Sequence, residues 1–133
     1  MPNRANIQKW VDALRSGKYI QGRNQLAYVS SETGENRYCC LGVACELAIE
    51  NGVKLSRTKW FGDSAYGLYA YGPFEETLRL PEAVVIWLGT QNADQSLLDQ
   101  DPKCGGRQLS VVNDAGFDFD YIANLIEREY LQP

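Results

Sequence analysis

The chain has 133 residues, a formal net charge of −4 and no histidine. This length corresponds to one domain, and it suffices to bury a hydrophobic core without disulfides or a metal. The negative charge argues against a protein that binds duplex DNA or RNA, because such proteins need a basic face that displaces counterions. The lack of histidine removes the Ser-His-Asp and Cys-His catalytic arrangements. The composition therefore predicts a protein that is not an enzyme and has no cofactor.

The hydropathy pattern predicts a protein without membrane contact. No apolar run approaches the roughly 20 residues of a membrane span, and the first ten residues lack the apolar segment of a signal peptide. We therefore expect a cytoplasmic location, where cysteines remain reduced.

The first half of the chain predicts two helices that flank a hairpin. The first helix is indicated by four apolar residues at helical spacing, Ile7, Trp10, Val11 and Leu14. It should end at Gly17. Residues 25–29 and 37–40 predict two strands, since the turn-forming stretch SSETGEN separates them. A second helix should run from Leu41 to the Asn51-Gly52 pair.

The second half predicts short strands followed by helices. Residues 53–80 are rich in aromatic residues and glycine, which favours one or two short strands with turns at Gly62-Asp63 and Gly72-Pro73. A short helix should follow Pro81, residues 91–106 should form the longest loop, and Asp118 should cap a last helix. The predicted fold class is α+β, with a small antiparallel sheet packed with about four helices in a single compact domain of residues 1–133.

Four cysteines raise the question of a metal or redox site. Cys39 and Cys40 are adjacent, Cys45 follows closely, and Cys104 lies far downstream. Two CxxC-like zinc knuckles and a CxxC redox pair are both absent, and a cysteine nucleophile would lack histidine as its base. We therefore predict no metal site and interpret the cysteines as small buried hydrophobic residues. Gly42 should let the start of the second helix press against the sheet.

Four stretches of the chain resemble a family of small uncharacterised proteins of tailed phages and prophages. They are WVDALRSGKYIQG near the start, YCCLGVACELA at residues 38–48, the LPxxVxxWLG pattern at 80–89, and the NDxGxxFxxIAxxIE pattern at 113–127. Together they occupy more than a third of the chain. The resemblance implies a phage accessory protein made in the bacterial cytoplasm, and it assigns no catalytic residues.

Three cations are candidates for binding an anion. Lys18 and Arg23 lie in SGKYIQGR, where two glycines allow a close approach of the backbone, and Arg37 precedes the cysteines. Such side chains neutralise phosphates. The alternative for SGKYIQGR is a helix cap followed by a tight turn.

Aromatic residues and one asparagine complete the candidate ligand-binding set. Trp60, Tyr69 and Tyr71 lie in the aromatic segment, where their rings could stack on bases, form a protein interface, or pack in a small core. Asn113 could hold a ligand hydroxyl, and the alternative is an Asx-type turn before the last helix.

The favoured functional hypothesis is an anti-defence protein that sequesters a small anionic ligand, such as a nucleotide immune signal. Arg and Lys side chains would hold phosphates and the aromatic rings would stack on bases. The ligand could bind across the subunits of a homo-oligomer, because a small domain rarely encloses such a ligand alone. The alternative is a protein–protein inhibitor or adaptor that acts on a host factor through the aromatic segment. The least favoured hypothesis is an enzyme that works without histidine.

Overall fold

The structure is a computed structural model that describes residues 2–60, 67–90 and 109–131. The described residues contain five α-helices and a π-helical turn: α1 (Arg4–Arg15), α2 (Cys40–Glu50), α3 (Glu82–Leu88), α4 (Leu109–Asp114), α5 (Phe119–Ile126) and the turn at Glu127–Leu131. They also contain four strands: β1 (Ala27–Val29), β2 (Asn36–Tyr38), β3 (Arg57–Trp60) and β4 (Leu68–Tyr71). The predicted turn at residues 62–63, the predicted loop 91–106 and Cys104 lie outside the described residues.

The four strands form one antiparallel sheet in the order β2-β1-β4-β3. Helix α2 packs on one face of this sheet, which we call the inner face, and α1 and α5 complete the core on the far side of α2. The α+β fold with a single compact domain, predicted from the sequence, is therefore confirmed. No helix among the described residues is long and apolar enough to cross a bilayer.

The caps of three helices match the sequence signals that predicted them. Gly17 follows α1 and Gly89 ends α3, both with positive φ, which glycine adopts without strain. Asp118 caps α5 by accepting a hydrogen bond from the backbone N–H of Tyr121 at 2.8 Å. The core is anchored by Trp10, which is fully buried and donates its indole N–H to the carbonyl of Cys40.

The prediction that the second strand includes Cys39 and Cys40 is wrong. Strand β2 ends at Tyr38, Cys39 is the N-cap of α2 in an extended conformation, and Cys40 is the first helical residue. The reason is packing: α2 is apolar on nearly all sides and buries both thiols as it enters the core. Burial raises the pKa of Cys39 to about 11 and raises the pKa of Cys40 and Cys45. The interpretation of these three residues as buried hydrophobic residues is confirmed.

Gly42 allows the close contact between α2 and the sheet that its position predicted. A Cβ atom at Gly42 would lie 1.8 Å from the carbonyl oxygen of Leu26 and 2.7 Å from the carbonyl carbon. Because both are backbone atoms, no side-chain movement could relieve the clash. The absence of a side chain at Gly42 therefore sets the distance between α2 and β1.

The segment before the last helix differs from its prediction. The apolar stretch at residues 109–112 and the following Asn113 and Asp114 form helix α4, where the sequence offered an Asx-type turn at Asn113. The packing of α4 against α2 accounts for the difference, since it buries Leu109, Val112 and Asn113.

Candidate functional site

The structure separates the seven predicted ligand-binding residues into three groups. The first group lies at the face of the sheet opposite α2, which we call the outer face, and consists of Arg23, Arg37 and Trp60. The second group lies on the side of α2 and consists of Lys18, Tyr69 and Tyr71. The third is Asn113, which is buried between them. The single cluster expected from the sequence is therefore not formed within one subunit.

The register of the sheet places two of the predicted residues in one row across the outer face. Arg37 pairs with Tyr28, Tyr28 with Leu68, and Leu68 with Trp60. Residues that are directly opposite on neighbouring strands share a face, so these four side chains, which we call the outer row, line up side by side. With strands about 4.8 Å apart, the row runs for about 14 Å from Arg37 to Trp60. The indole of Trp60 is 48% exposed.

Arg23 is held at the end of this row by a glycine. The backbone N–H of Arg23 donates to the phenol oxygen of Tyr28 at 3.3 Å. A Cβ atom at Gly22 would lie 2.8 Å from the Tyr28 ring and 2.9 Å from the Cβ atom of Arg37. Only glycine therefore allows the segment that carries Arg23 to pack directly on Tyr28 and Arg37.

Backbone hydrogen bonds fix the same segment beside β2. The N–H of Gly22 donates to the carbonyl of Tyr38 at 2.7 Å, and the N–H of Tyr38 donates to the carbonyl of Ile20 at 2.9 Å. These bonds make residues 20–22 a short parallel addition to the edge of the sheet. The loop that carries Arg23 is thus part of the sheet framework.

The guanidinium of Arg37 has an unused donor. Its Nε atom is buried and has no hydrogen-bond partner among the described residues. Across the described part of the chain, no carboxylate forms a salt bridge with Arg23 or Arg37. A buried donor without an acceptor is costly, typically about 1–3 kcal/mol. An anion that binds next to Arg37 would supply the missing acceptor.

Asn113 is a positioning residue behind this face rather than a group open to a ligand. Its side chain is fully buried and donates to the carbonyl of Gly22 at 2.8 Å. Its side-chain oxygen accepts from Gln21 Nε2 at 2.9 Å and from the backbone N–H of Cys40 at 3.2 Å. The amide group is therefore occupied by contacts within the protein, and it ties α4 to α2 and to the segment before Arg23.

Tyr71 and Glu46 form the centre of the group on the side of α2. Tyr71 is fully buried and donates its phenol O–H to Glu46 at 2.6 Å. Burial, and then this hydrogen bond, raise the pKa of Tyr71. Arg57 donates to the other oxygen of Glu46 at 2.5 Å. Glu46 is therefore held between Tyr71 and Arg57. Tyr71 is a core residue and offers no face for stacking.

Lys18 and Tyr69 are also engaged in contacts on the side of α2. Lys18 lies 3.7 Å from a carboxylate oxygen of Glu50 and 5.4 Å from the centre of the Tyr19 ring. The phenol of Tyr69 donates to Asn36 at 3.2 Å, and the Arg57 guanidinium lies 5.6 Å from its ring centre. On this side Lys18 is paired with Glu50 and Arg57 with Glu46. Because these two cations already face carboxylates, they attract an external anion less than Arg23 and Arg37 do.

Two members of the outer row, Tyr28 and Leu68, were not candidates in the sequence. Their importance follows from the strand register, which depends on the hairpin turn and on pairing between β1 and β4. The sequence signal that could have identified Tyr28 was its position next to Ala27 in the first predicted strand, because neighbouring residues of a strand point to opposite faces. That alternation alone did not indicate which partner strand would lie beside Tyr28.

The potential metal ligands do not converge in the part of the chain that the structure describes. Within residues 2–60, 67–90 and 109–131, no group of three or more cysteine, aspartate or glutamate side chains could hold a metal ion. The outer face carries arginine and aromatic side chains, which suit an organic anion rather than a cation.

The fold and the outer face define a small α+β protein whose four-stranded antiparallel sheet is backed by helices on one side and displays arginine and aromatic side chains on the other. The chain belongs to the family described as Domain of unknown function (DUF8296), whose model matches residues 3–130. No curated protein and no solved structure shows significant similarity to the chain.

Proposed function

We propose that this protein binds a small organic anion, a nucleotide in particular, on the outer face of the sheet. The observation that carries the proposal is Arg37. Its buried Nε atom has no acceptor in the part of the chain that the structure describes, and its strand pairing puts it in one row with Tyr28 and Trp60. This arrangement combines a cation with aromatic rings over a distance of about 14 Å, which is three times the spacing of about 4.8 Å between neighbouring strands.

The chemistry of these side chains matches the two parts of a nucleotide. A guanidinium offers a planar pair of N–H donors that fits two phosphate oxygens, and Arg23 supplies a second cation at the same end of the row. At the other end, the exposed indole of Trp60 can stack on a base, which contributes about 1–3 kcal/mol per base. The net charge of −4 disfavours long polyanions but leaves a small ligand free to use a local pair of cations.

The four stretches that resemble phage and prophage proteins support a biological setting. In this proposal the protein is phage-encoded, acts in the host bacterial cytoplasm, and sequesters a nucleotide immune signal. The family description assigns no activity. The absence of histidine favours sequestration over hydrolysis, because the commonest general base is missing.

The decisive experiment is native mass spectrometry of the purified chain with a pool of cyclic dinucleotides, ADP-ribose and mononucleotides. The wild type should retain a nucleotide, and Arg37→Gln should weaken its retention by about tenfold or more, since each tenfold corresponds to about 1.4 kcal/mol. Lys9→Gln is the matched control, because Lys9 is an exposed cation of α1 that donates a hydrogen bond to Asn51 at 3.0 Å. Equal retention by Arg37→Gln and wild type would overturn the assignment of this face.

Further variants distinguish the remaining possibilities. Trp60→Leu should reduce nucleotide retention, and binding should quench the fluorescence of Trp60, whereas Trp10 is buried in the core. Loss of retention in Lys18→Gln but not in Arg37→Gln would place the ligand on the side of α2. Absence of any retained nucleotide, together with capture of a host protein that Trp60→Leu abolishes, would favour the inhibitor or adaptor hypothesis.

A further inference from the structure

A second surface, separate from the outer face, exposes large apolar side chains. Phe74 is 83% exposed and Ile86 70%, and both side chains line the same groove. Phe74 follows β4, and Ile86 lies in α3. Single exposed apolar side chains are common in monomers, but a contiguous group is typical of an interaction site.

Phe74 protrudes from a turn whose backbone is held by hydrogen bonds. The N–H groups of Tyr71 and Glu76 each donate to the other residue's carbonyl, at 2.9 and 2.8 Å, and the N–H of Glu75 donates to the carbonyl of Gly72 at 3.1 Å. Glu75 adopts a left-handed conformation with φ of 53°. These bonds hold the turn closed, so the Phe74 ring is presented on a defined support.

A groove of about 880 Å³ lies directly beside Phe74. It runs between the chain segment before β3 and the start of α3, and its lining includes Leu55, Leu80 and Val85. Leu80 and Val85 belong to the core or pack against it, so this part of the groove is backed by the folded domain. The groove exceeds the size of a phenyl ring, and pockets of about 300–1,000 Å³ accommodate ligands of several rings.

The charges around the groove are balanced. Its lining includes two cations, Lys54 and Arg79, and two carboxylates, Glu76 and Glu82. A strongly acidic partner would meet the two carboxylates, and a strongly basic partner would meet the two cations. A surface that carries the same charge pattern, turned by a two-fold rotation, can match each cation with a carboxylate.

We propose that this surface is a two-fold interface between two copies of the chain, in which Phe74 of each copy enters the groove of the other. The protruding ring and the groove belong to the same surface, as a closed two-fold contact requires, because each copy then supplies one of each. A ring and a groove on different sides of the molecule would instead produce an open chain of subunits. The interface involves neither Arg37 nor Trp60, so it stands independently of the proposed nucleotide site.

The first test measures the mass of the protein in solution by sedimentation velocity over a range of concentrations. The wild type should be a dimer at about 10 μM, and Phe74→Glu and Ile86→Glu should each shift it to a monomer with unchanged circular dichroism, because a buried charge without a partner is costly. Ile20→Glu is the matched control: Ile20 is 40% exposed, lies outside this surface, and should leave the dimer intact. A wild-type monomer at about 200 μM, or a dimer that persists in both glutamate variants, would overturn the proposal.

The second test uses the charges and does not depend on apolar burial. Lys54→Glu gives the groove lining three carboxylates and one cation, whereas Glu82→Lys gives it three cations and one carboxylate. Each variant alone should dimerise more weakly than wild type, and a mixture of the two should form mixed dimers in preference to either homodimer. Native mass spectrometry distinguishes these species. Random association in the mixture would contradict the two-fold arrangement, and capture of a foreign protein by a wild-type monomer would assign the groove to that partner instead.

Discussion

The side-chain amide of Asn113 donates a 2.8 Å hydrogen bond to the carbonyl of Gly22, across 91 positions of the chain. This contact connects helix α4 to the segment that carries Arg23 along the edge of the sheet. Since the other side of the same amide accepts from Gln21 and from the backbone of Cys40, one buried side chain holds three parts of the fold together. The stability of the protein and the shape of the outer face should therefore depend on this residue.

Replacing Asn113 by alanine should lower the free energy of unfolding by about 3 kcal/mol, because the buried Gly22 carbonyl and Cys40 N–H lose their partner. Urea unfolding measures this change. Asn124→Ala is the matched control: Asn124 is exposed and accepts a hydrogen bond from Arg15, so its loss should cost no more than about 0.5 kcal/mol. Similar costs for the two variants would contradict the role assigned to Asn113.

Gly42→Ala should destabilise the protein although it raises helix propensity. Within an exposed helix this change would stabilise by about 1 kcal/mol, whereas here the new Cβ atom would lie 1.8 Å from the carbonyl oxygen of Leu26. We expect a loss of at least about 3 kcal/mol in thermal or urea unfolding, because backbone atoms must move. Gly34→Ala tests conformation alone: its φ is 74° and no atom lies within 4 Å of the added Cβ, so it should cost about 1–2 kcal/mol. A stabilised Gly42→Ala variant would show that α2 can move away from the sheet at little cost.

Two tyrosines of the same strand should respond differently to removal of their hydroxyl groups. Tyr71→Phe removes a buried 2.6 Å hydrogen bond to the carboxylate of Glu46, and it should cost about 1.5–3 kcal/mol, the range for hydrogen bonds to charged groups. Tyr69→Phe removes an exposed 3.2 Å bond to Asn36 and should cost no more than about 0.5 kcal/mol. Chemical denaturation of both variants gives the comparison, and equal costs would mean that the Tyr71–Glu46 bond adds no net stability.

The buried thiols should make the protein less stable at alkaline pH. Burial raises the pKa of Cys39 to about 11, so the folded chain keeps this proton while the unfolded chain, with a thiol pKa of about 8.5, releases it. The unfolded state then binds fewer protons, and the free energy of unfolding falls as pH rises. The contribution of the buried Cys39 thiol to the free energy of unfolding is fully present below the thiol pKa of the unfolded chain. It is lost as the pH rises towards the thiol pKa of the folded chain.

The pH dependence can be assigned by a cysteine variant. Between about pH 8.5 and about pH 11, each buried thiol contributes a slope of at most about 1.4 kcal/mol per pH unit. Cys39→Ala should therefore give a shallower fall than wild type in urea unfolding under reducing conditions, whatever its stability at neutral pH. Parallel curves for the two proteins would show that Cys39 ionises equally in the folded and unfolded chains.

Local features of the sequence predicted the helices and their ends. The apolar spacing of Ile7, Trp10, Val11 and Leu14 and the glycines at positions 17 and 89 act within one or two turns, so neighbouring residues contain the whole signal. The boundary of β2 was placed two residues too far because Cys39 and Cys40 fit a strand locally, whereas burial of α2 in the core makes them the start of a helix.

The sequence by itself determined the α+β class, the apolar core and the supply of arginine and aromatic residues, because composition and periodicity are properties of the chain alone. The tertiary structure decided which of those residues meet. Arg37 and Trp60 share a face because three strand registers, β2 with β1, β1 with β4 and β4 with β3, connect them. Tyr71 and Asn113 became internal because Glu46 and Gly22 lie opposite them. Such relationships depend on packing between segments far apart in the chain, where the energy of burial outweighs local preference.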